Sequence, residues 1–146
     1  PYIFGANGQS VETESLSLTE GWDDREGYTN QIHFANKKIK DLLNEMLSDD
    51  YSPVIIIQSD HGPRGSVDWE NPDNVMIKRL YGILNAYHLP DDGNKEIYET
   101  ISPINSFRIV SNYYLDQNYE LLDDKAYFSN VNQPDRFDDV SSILQE

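Results

Sequence analysis

The 146-residue chain contains no cysteine. That excludes disulfides, thiolate metal sites and cysteine nucleophiles. Long apolar runs are missing too, since no stretch approaches the ~18 consecutive residues that a membrane-crossing helix needs. There is no signal-peptide pattern. Basic residues are scarce: 11 Lys and Arg stand against 26 Asp and Glu, for a formal net charge of −15. Such a field repels nucleic acid and anionic membrane surfaces, so neither is expected as a partner. An anionic substrate would need local compensation, which a bound metal ion can supply. Histidine occurs only as His33, His61 and His88.

What remains suits a soluble globular piece. Apolar residues make up 38% of the chain and are interrupted often, and the length is enough for one domain with a core. The chain begins at Pro1 rather than Met, which reads as a piece of a longer protein. Residues 1–27 read as an irregular connection, with a turn at Gly5-Ala6-Asn7-Gly8. Residues 28–48 predict an amphipathic helix, because Ile32, Ala35, Ile39, Leu42, Leu43 and Met46 recur at helical spacing. Arg79 to His88 reads as one strand weakened at Gly82, closed by the turn Leu89-Pro90-Asp91-Asp92-Gly93. Ser102-Pro103 is a helix start, with Ser as N-cap and Pro in the first position. Tyr127-Phe128-Ser129 reads as a last short strand, so residues 28–129 form the expected α/β body. Residues 130–146 read as a loosely held tail.

The chemistry centres on one strand. Pro53-Val54-Ile55-Ile56-Ile57-Gln58 is a β-branched run without alternation. Both its faces should be buried, as in a central parallel strand covered by helices. The expected fold class is therefore α/β, a partial α/β/α sandwich with a mainly parallel sheet, in which helix 28–48 packs on strand 53–58. Asp60 and His61 sit just past the end of that strand, where open α/β sheets bind ligands. A carboxylate and an imidazole there can hold a divalent metal ion. Gly62 gives the loop freedom to bend, and Arg64 could meet a phosphate or sulfate oxygen. Asp-His-Gly also occurs in ordinary loops, and Arg64 alone is equally a surface residue. His33 reads as surface, and His88 as a packed or exposed strand-end residue. The pairs Asp49-Asp50, Asp91-Asp92, Asp123-Asp124 and Asp138-Asp139 read as turns rather than calcium loops, since none has EF-hand spacing.

The stretch from Tyr28 through Gln31, Phe34-Ala35-Asn36-Lys37 and Val54-Ile55-Ile56-Ile57-Gln58 to Ser59-Asp60-His61-Gly62 resembles sulfatase-like members of the alkaline phosphatase superfamily. Ser102 to Arg108 resembles their downstream helix, and Leu121 to Phe128 the segment after it. Pro1-Tyr2-Ile3-Phe4 resembles the end of a His-x-Pro-Tyr-like motif. The resemblance implies that residues 1–146 are the C-terminal portion of a sulfatase-like catalytic domain with an alkaline-phosphatase-like fold. It implies a metal-dependent phosphoric or sulfuric ester hydrolase or transferase, with lipoteichoic-acid-synthase-like phosphoglycerol transferases among the relatives. Asp60 and His61 would be ligands of a divalent metal ion (Mn, Zn or Ca), and the nucleophile would lie upstream. Thr29 is the one local hydroxyl in a comparable place and ranks far below an upstream residue. The parent protein would be membrane-anchored, with this domain on the extracytoplasmic face, acting on a phosphate or sulfate ester.

By itself the chain is expected to be catalytically silent, to bind divalent metal weakly and to self-associate through sheet edges. The rival reading is a non-catalytic interaction domain that keeps the same fold.

Overall fold

The computed structural model describes residues 2–11, 24–48, 50–65 and 68–145. The chain divides into two units, one of residues 1–52 and 63–67, the other of residues 53–62 and 68–146.

Among the described residues of the first unit, one helix, α1 (Arg25–Met46), is preceded by a hairpin-like turn closed by a bridge between Phe4 and Ser10. The helix starts earlier than residue 28 because Asp24 caps it: its carboxylate accepts from the Gly27 N–H at 2.9 Å. Gly27 is therefore part of the first turn of the helix. The segment before the turn lies along the helix. Ile3 N–H donates to Gln31 Oε1 at 3.0 Å, and the Phe4 and Phe34 rings are 5.2 Å apart. Gly5 to Gly8 turns as expected, closed by Gly8 N–H to Gly5 O at 2.8 Å. Gly8 has φ +83°, a conformation that favours glycine, and a Cβ there would strike the Phe34 ring at 2.3 Å. No residue of α1 is buried. Ile32, Leu42 and Met46 of its apolar stripe remain exposed.

The second unit is built on β1 (Ile55–Gln58), α2 (Asn74–Tyr81), β2 (Asn85–His88), α3 (Pro103–Tyr114), β3 (Tyr127–Asn130), β4 (Gln133–Asp139) and α4 (Ser141–Gln145). The expected α/β/α sandwich with a mainly parallel sheet is not what forms. The strands make two separate two-stranded antiparallel sheets, β1–β2 and β3–β4. β1 is half-buried along its length and has one neighbour among the described residues, with Ile55 opposite His88 and Gln58 opposite Asn85. The apolar run dictates an extended conformation but does not choose its neighbours.

The direction of β2 follows from where the chain returns. A parallel crossover must come back to the start of the first strand. Here α2, eight residues and about 12 Å long, brings the chain back to the end of β1 that it left. Ser59 N–H donates to Leu84 O at 3.0 Å, and Gly62 N–H to Leu80 O at 2.7 Å. The next strand can then only run antiparallel. The stretch Arg79 to His88 is accordingly not one strand: it holds the last turn of α2, a break at Gly82 and then β2. Asp73 caps α2 by accepting from Met76 N–H at 2.7 Å, and Met76, Ile77 and Leu80 face the core.

That core is completed by Leu89, Ile101, Ile109, Phe128 and Val140. Tyr81 Oη donates to Tyr127 O at 2.5 Å and ties α2 to β3. Tyr87 Oη and Ser106 Oγ, 2.5 Å apart, tie β2 to α3. Beyond Asn130 the chain forms the fully exposed strand β4 and the short helix α4. Val140 is buried there, and its N–H donates to Ala126 O at 2.9 Å.

A buried polar knot fixes α3. Ser102 caps it and Pro103 is its first residue, as the sequence predicts. Asn105 is fully buried and reaches the extended segment beyond α3. Its Nδ2 donates to Leu122 O at 2.7 Å and Asp124 Oδ1 at 2.8 Å, and its Oδ1 accepts from Leu122 N–H at 3.0 Å. Asp124 also accepts from Tyr98 Oη at 2.5 Å and Ser102 N–H at 2.7 Å.

Partial burial works to raise the Asp124 pKa, but the hydrogen bonds from Ser102, Tyr98 and Asn105 outweigh it and hold the carboxyl below its ordinary value. A depressed carboxyl stabilises the fold above its unfolded pKa, and that stability is lost as pH falls through the folded value. Chemical-denaturation midpoints are therefore expected to be level near neutrality and to fall in acid, below the ordinary carboxylate range. Asp124→Asn should lower the neutral plateau and flatten the acid limb. An acid limb as steep in Asp124→Asn as in the parent chain would contradict the assignment.

Candidate metal-ligand pair

Three contacts pin the exit of β1. Gln58 Nε2 donates to Asn85 Oδ1 at 3.0 Å. Ser59 N–H pairs with Leu84 O, and Ser59 Oγ accepts from Leu84 N–H at 2.9 Å. The two strands are thus locked together immediately before Asp60.

Past that lock, Asp60 and His61 come together. Asp60 Oδ1 accepts from the His61 N–H at 3.0 Å. Asp60 Oδ2 stands 3.5 Å from His61 Nε2. The other ring nitrogen, Nδ1, is 2.7 Å from Gly62 O. A carbonyl oxygen can only accept, so Nδ1 carries the proton in that hydrogen bond. In the neutral ring the Nε2 lone pair then points at the side occupied by the carboxylate. That arrangement is favourable when something positive lies between them, either a proton on Nε2 or a metal ion.

The pair fits a metal ion. Two ligand atoms on a tetrahedral Zn²⁺, each about 2.0–2.1 Å from the ion, lie about 3.3 Å apart, close to the 3.5 Å between Oδ2 and Nε2. A histidine whose second nitrogen is held by a backbone carbonyl is the usual form of such a ligand. The Asp60 side chain is 86% exposed and the His61 ring 34% exposed, so further ligands have room to approach. Among the described residues no group of three or more His, Asp or Glu side chains gathers around a common point.

The other sequence candidates have their own settings. Arg64 is exposed and belongs to the first unit. Thr29 lies within α1, where its hydroxyl donates to Arg25 O at 2.8 Å, an ordinary helical back-bond. His33 is exposed on α1, in the first unit. His88 lies opposite Ile55, at the far end of β1 from Asp60, with Nδ1 2.9 Å from Pro53 O. Asp91 and Asp92 form a turn with φ 53° and 71°. Asp138 and Asp139, expected in a turn, instead end β4. Asp49 lies outside the described residues.

Gly62 has a different role from the one its flexibility suggests. It is buried, and a Cβ there would lie 1.9 Å from Arg79 O and 3.0 Å from Gly82 O. Closeness to the end of α2, rather than freedom to bend, is what requires glycine. No helix among the described residues is long and apolar enough to cross a membrane. Comparison with protein-family models, with curated proteins and with solved structures finds no match.

Proposed function

We propose that this chain contributes the Asp60 and His61 ligands of a divalent metal site in a phosphoric or sulfuric ester hydrolase or transferase. One observation carries the reading: Nδ1 of His61 is committed to a backbone carbonyl, which leaves Nε2 beside the Asp60 carboxylate at a separation suited to sharing one ion. The resemblance of Ser59-Asp60-His61-Gly62 and its flanking segments to sulfatase-like proteins supports the choice of reaction. Bound there, Mn²⁺, Zn²⁺ or Ca²⁺ would polarise the ester oxygen and favour the ionised nucleophile. Asp60 supplies negative charge to the site and His61 a neutral nitrogen. Arg64 is the proposed partner of the substrate oxyanion. The nucleophile and the other ligands come from outside these residues, on the extracytoplasmic side of a membrane-anchored parent. Self-association through sheet edges belongs to the same proposal, because each strand has a single hydrogen-bonded neighbour among the described residues.

The test compares this chain with its parent protein on aryl phosphate and aryl sulfate esters, with Mn²⁺ and Zn²⁺ supplied. Turnover is expected from the parent and none from the 146-residue chain. A parent that turns over neither ester class contradicts the reaction. Turnover by the isolated chain that disappears in Asp60→Ala contradicts an external nucleophile.

A further inference from the structure

The ring of His61 is oriented by a device contained in one peptide unit. Gly62 O holds His61 Nδ1 at 2.7 Å. The N–H of the same glycine donates to Leu80 O at 2.7 Å, in the last turn of α2. The Cα of Gly62 is pressed so close to that turn that a Cβ would fall 1.9 Å from Arg79 O, which is backbone and cannot swing aside. The same Cβ would lie 3.0 Å from the carbonyl oxygen of Gly82, the C-cap of α2. The residue after His61 is therefore clamped to the C-terminal end of α2 by a hydrogen bond and a steric fit, and its carbonyl is left aimed at the imidazole.

We infer that Gly62 is a positioning residue that selects the Nδ1–H tautomer of His61 and so presents Nε2 as the ligating atom, with the last turn of α2 as its anchor. This rests on the metal-site reading above, but it is separable from it. The orientation exists without metal, since every contact in it is internal to the protein: the Nδ1 bond to Gly62 O at 2.7 Å is short, whereas Asp60 Oδ2 at 3.5 Å is too far from Nε2 for a good hydrogen bond and competes weakly for the proton. A histidine side chain free in water favours the opposite tautomer, with the proton on Nε2. The clamp therefore predicts a reversal that can be observed directly.

The experiment is long-range ¹H–¹⁵N NMR on the imidazole rings of this chain in mildly alkaline, metal-free buffer, followed by titration with Zn²⁺. His61 should show a protonated Nδ1 and a bare Nε2. Zn²⁺ should then shift Nε2 while Nδ1 keeps its proton. Gly62→Ala should return His61 toward the tautomer mixture of a free histidine side chain and weaken Zn²⁺ binding about tenfold or more, with the amide signals of β1 and β2 in place. A wild-type ring protonated on Nε2 overturns the inference, even where that variant fails to fold. So does a folded Gly62→Ala that keeps both the Nδ1 proton and the wild-type affinity. A ring with the predicted tautomer whose signals Zn²⁺ leaves unmoved upholds the clamp and contradicts the metal site. Zn²⁺ bound through Nδ1 does the reverse.

Discussion

Asn105→Ala is expected to destabilise the second unit by about 3 kcal/mol. Asn105 is fully buried, and its amide serves both backbone groups of Leu122 and the Asp124 carboxylate. Alanine fills the helix position without strain but leaves those groups short of partners, and each unsatisfied group costs about 1–3 kcal/mol. Water can repair part of the loss, because Leu122 is exposed, which keeps the figure near the lower end of the sum. Asn105→Asp separates polarity from shape. It keeps the volume but places a second carboxylate where Nδ2 now lies 2.8 Å from Asp124. Like charges at that distance cannot both stay ionised cheaply. The aspartate variant should be at least as unstable near neutrality and should recover part of its stability in mild acid, where one carboxyl takes a proton. Denaturant unfolding across pH measures both. A shift under 0.5 kcal/mol for Asn105→Ala, of the size expected for an ordinary surface change (roughly ±0.5 kcal/mol), would show that the knot does not hold the segment beyond α3.

Elements specified by local signals were legible in the sequence. The apolar spacing of α1, the β-branched run of β1, the turn at Leu89 to Gly93 and the Ser102-Pro103 start of α3 each depend on neighbours a few residues away. What failed was non-local. Arg79 to His88 shows apolar residues on both sides of Gly82, and nothing within that window separates the end of a helix from the start of a strand. The separating signal lies upstream, in Asp73 as cap and in the helical spacing of Met76, Ile77 and Leu80. The sheet was misread for a related reason. The run of isoleucines specifies extension but not burial of both faces, since β1 is only half-buried, and pairing depends on where α2 delivers the chain, which is settled by Ser59 meeting Leu84. β4 carries no apolar alternation and is exposed throughout, so only its partner β3 reveals it.

The candidate ligand pair shows the same division. Residue type and position past a strand end single out Asp60 and His61. Which imidazole nitrogen is free depends on the Gly62 peptide, and so on a helix that starts more than ten residues later.

In the proposed parent protein, Asp60→Ala or His61→Ala is expected to lower metal content and turnover together. Loss of an outer partner of a metal ligand usually lowers affinity about 10–100-fold, so loss of a ligand itself should do at least as much. His61→Ala removes the nitrogen whose tautomer is fixed, and Asp60→Ala removes the charge that compensates the cation. Neither side chain is buried in the core, and neither change should disturb folding by more than about 1 kcal/mol. Metal analysis beside a thermal melt separates a lost ligand from a lost fold. Asp60→Asn is informative too, since it keeps the shape and hydrogen-bonding reach but loses the charge, and it should fall between the parent and Asp60→Ala.

The most direct test needs only the 146-residue chain. Calorimetric titration with Zn²⁺ and Mn²⁺ should show weak binding at one site, because two protein ligands are fewer than the three or more that a zinc site usually has. That heat should vanish in both Asp60→Ala and His61→Ala and persist in His33→Ala and His88→Ala. Binding of equal strength in the parent chain and in His61→Ala would contradict the assignment of Asp60 and His61 as the metal-ligand pair.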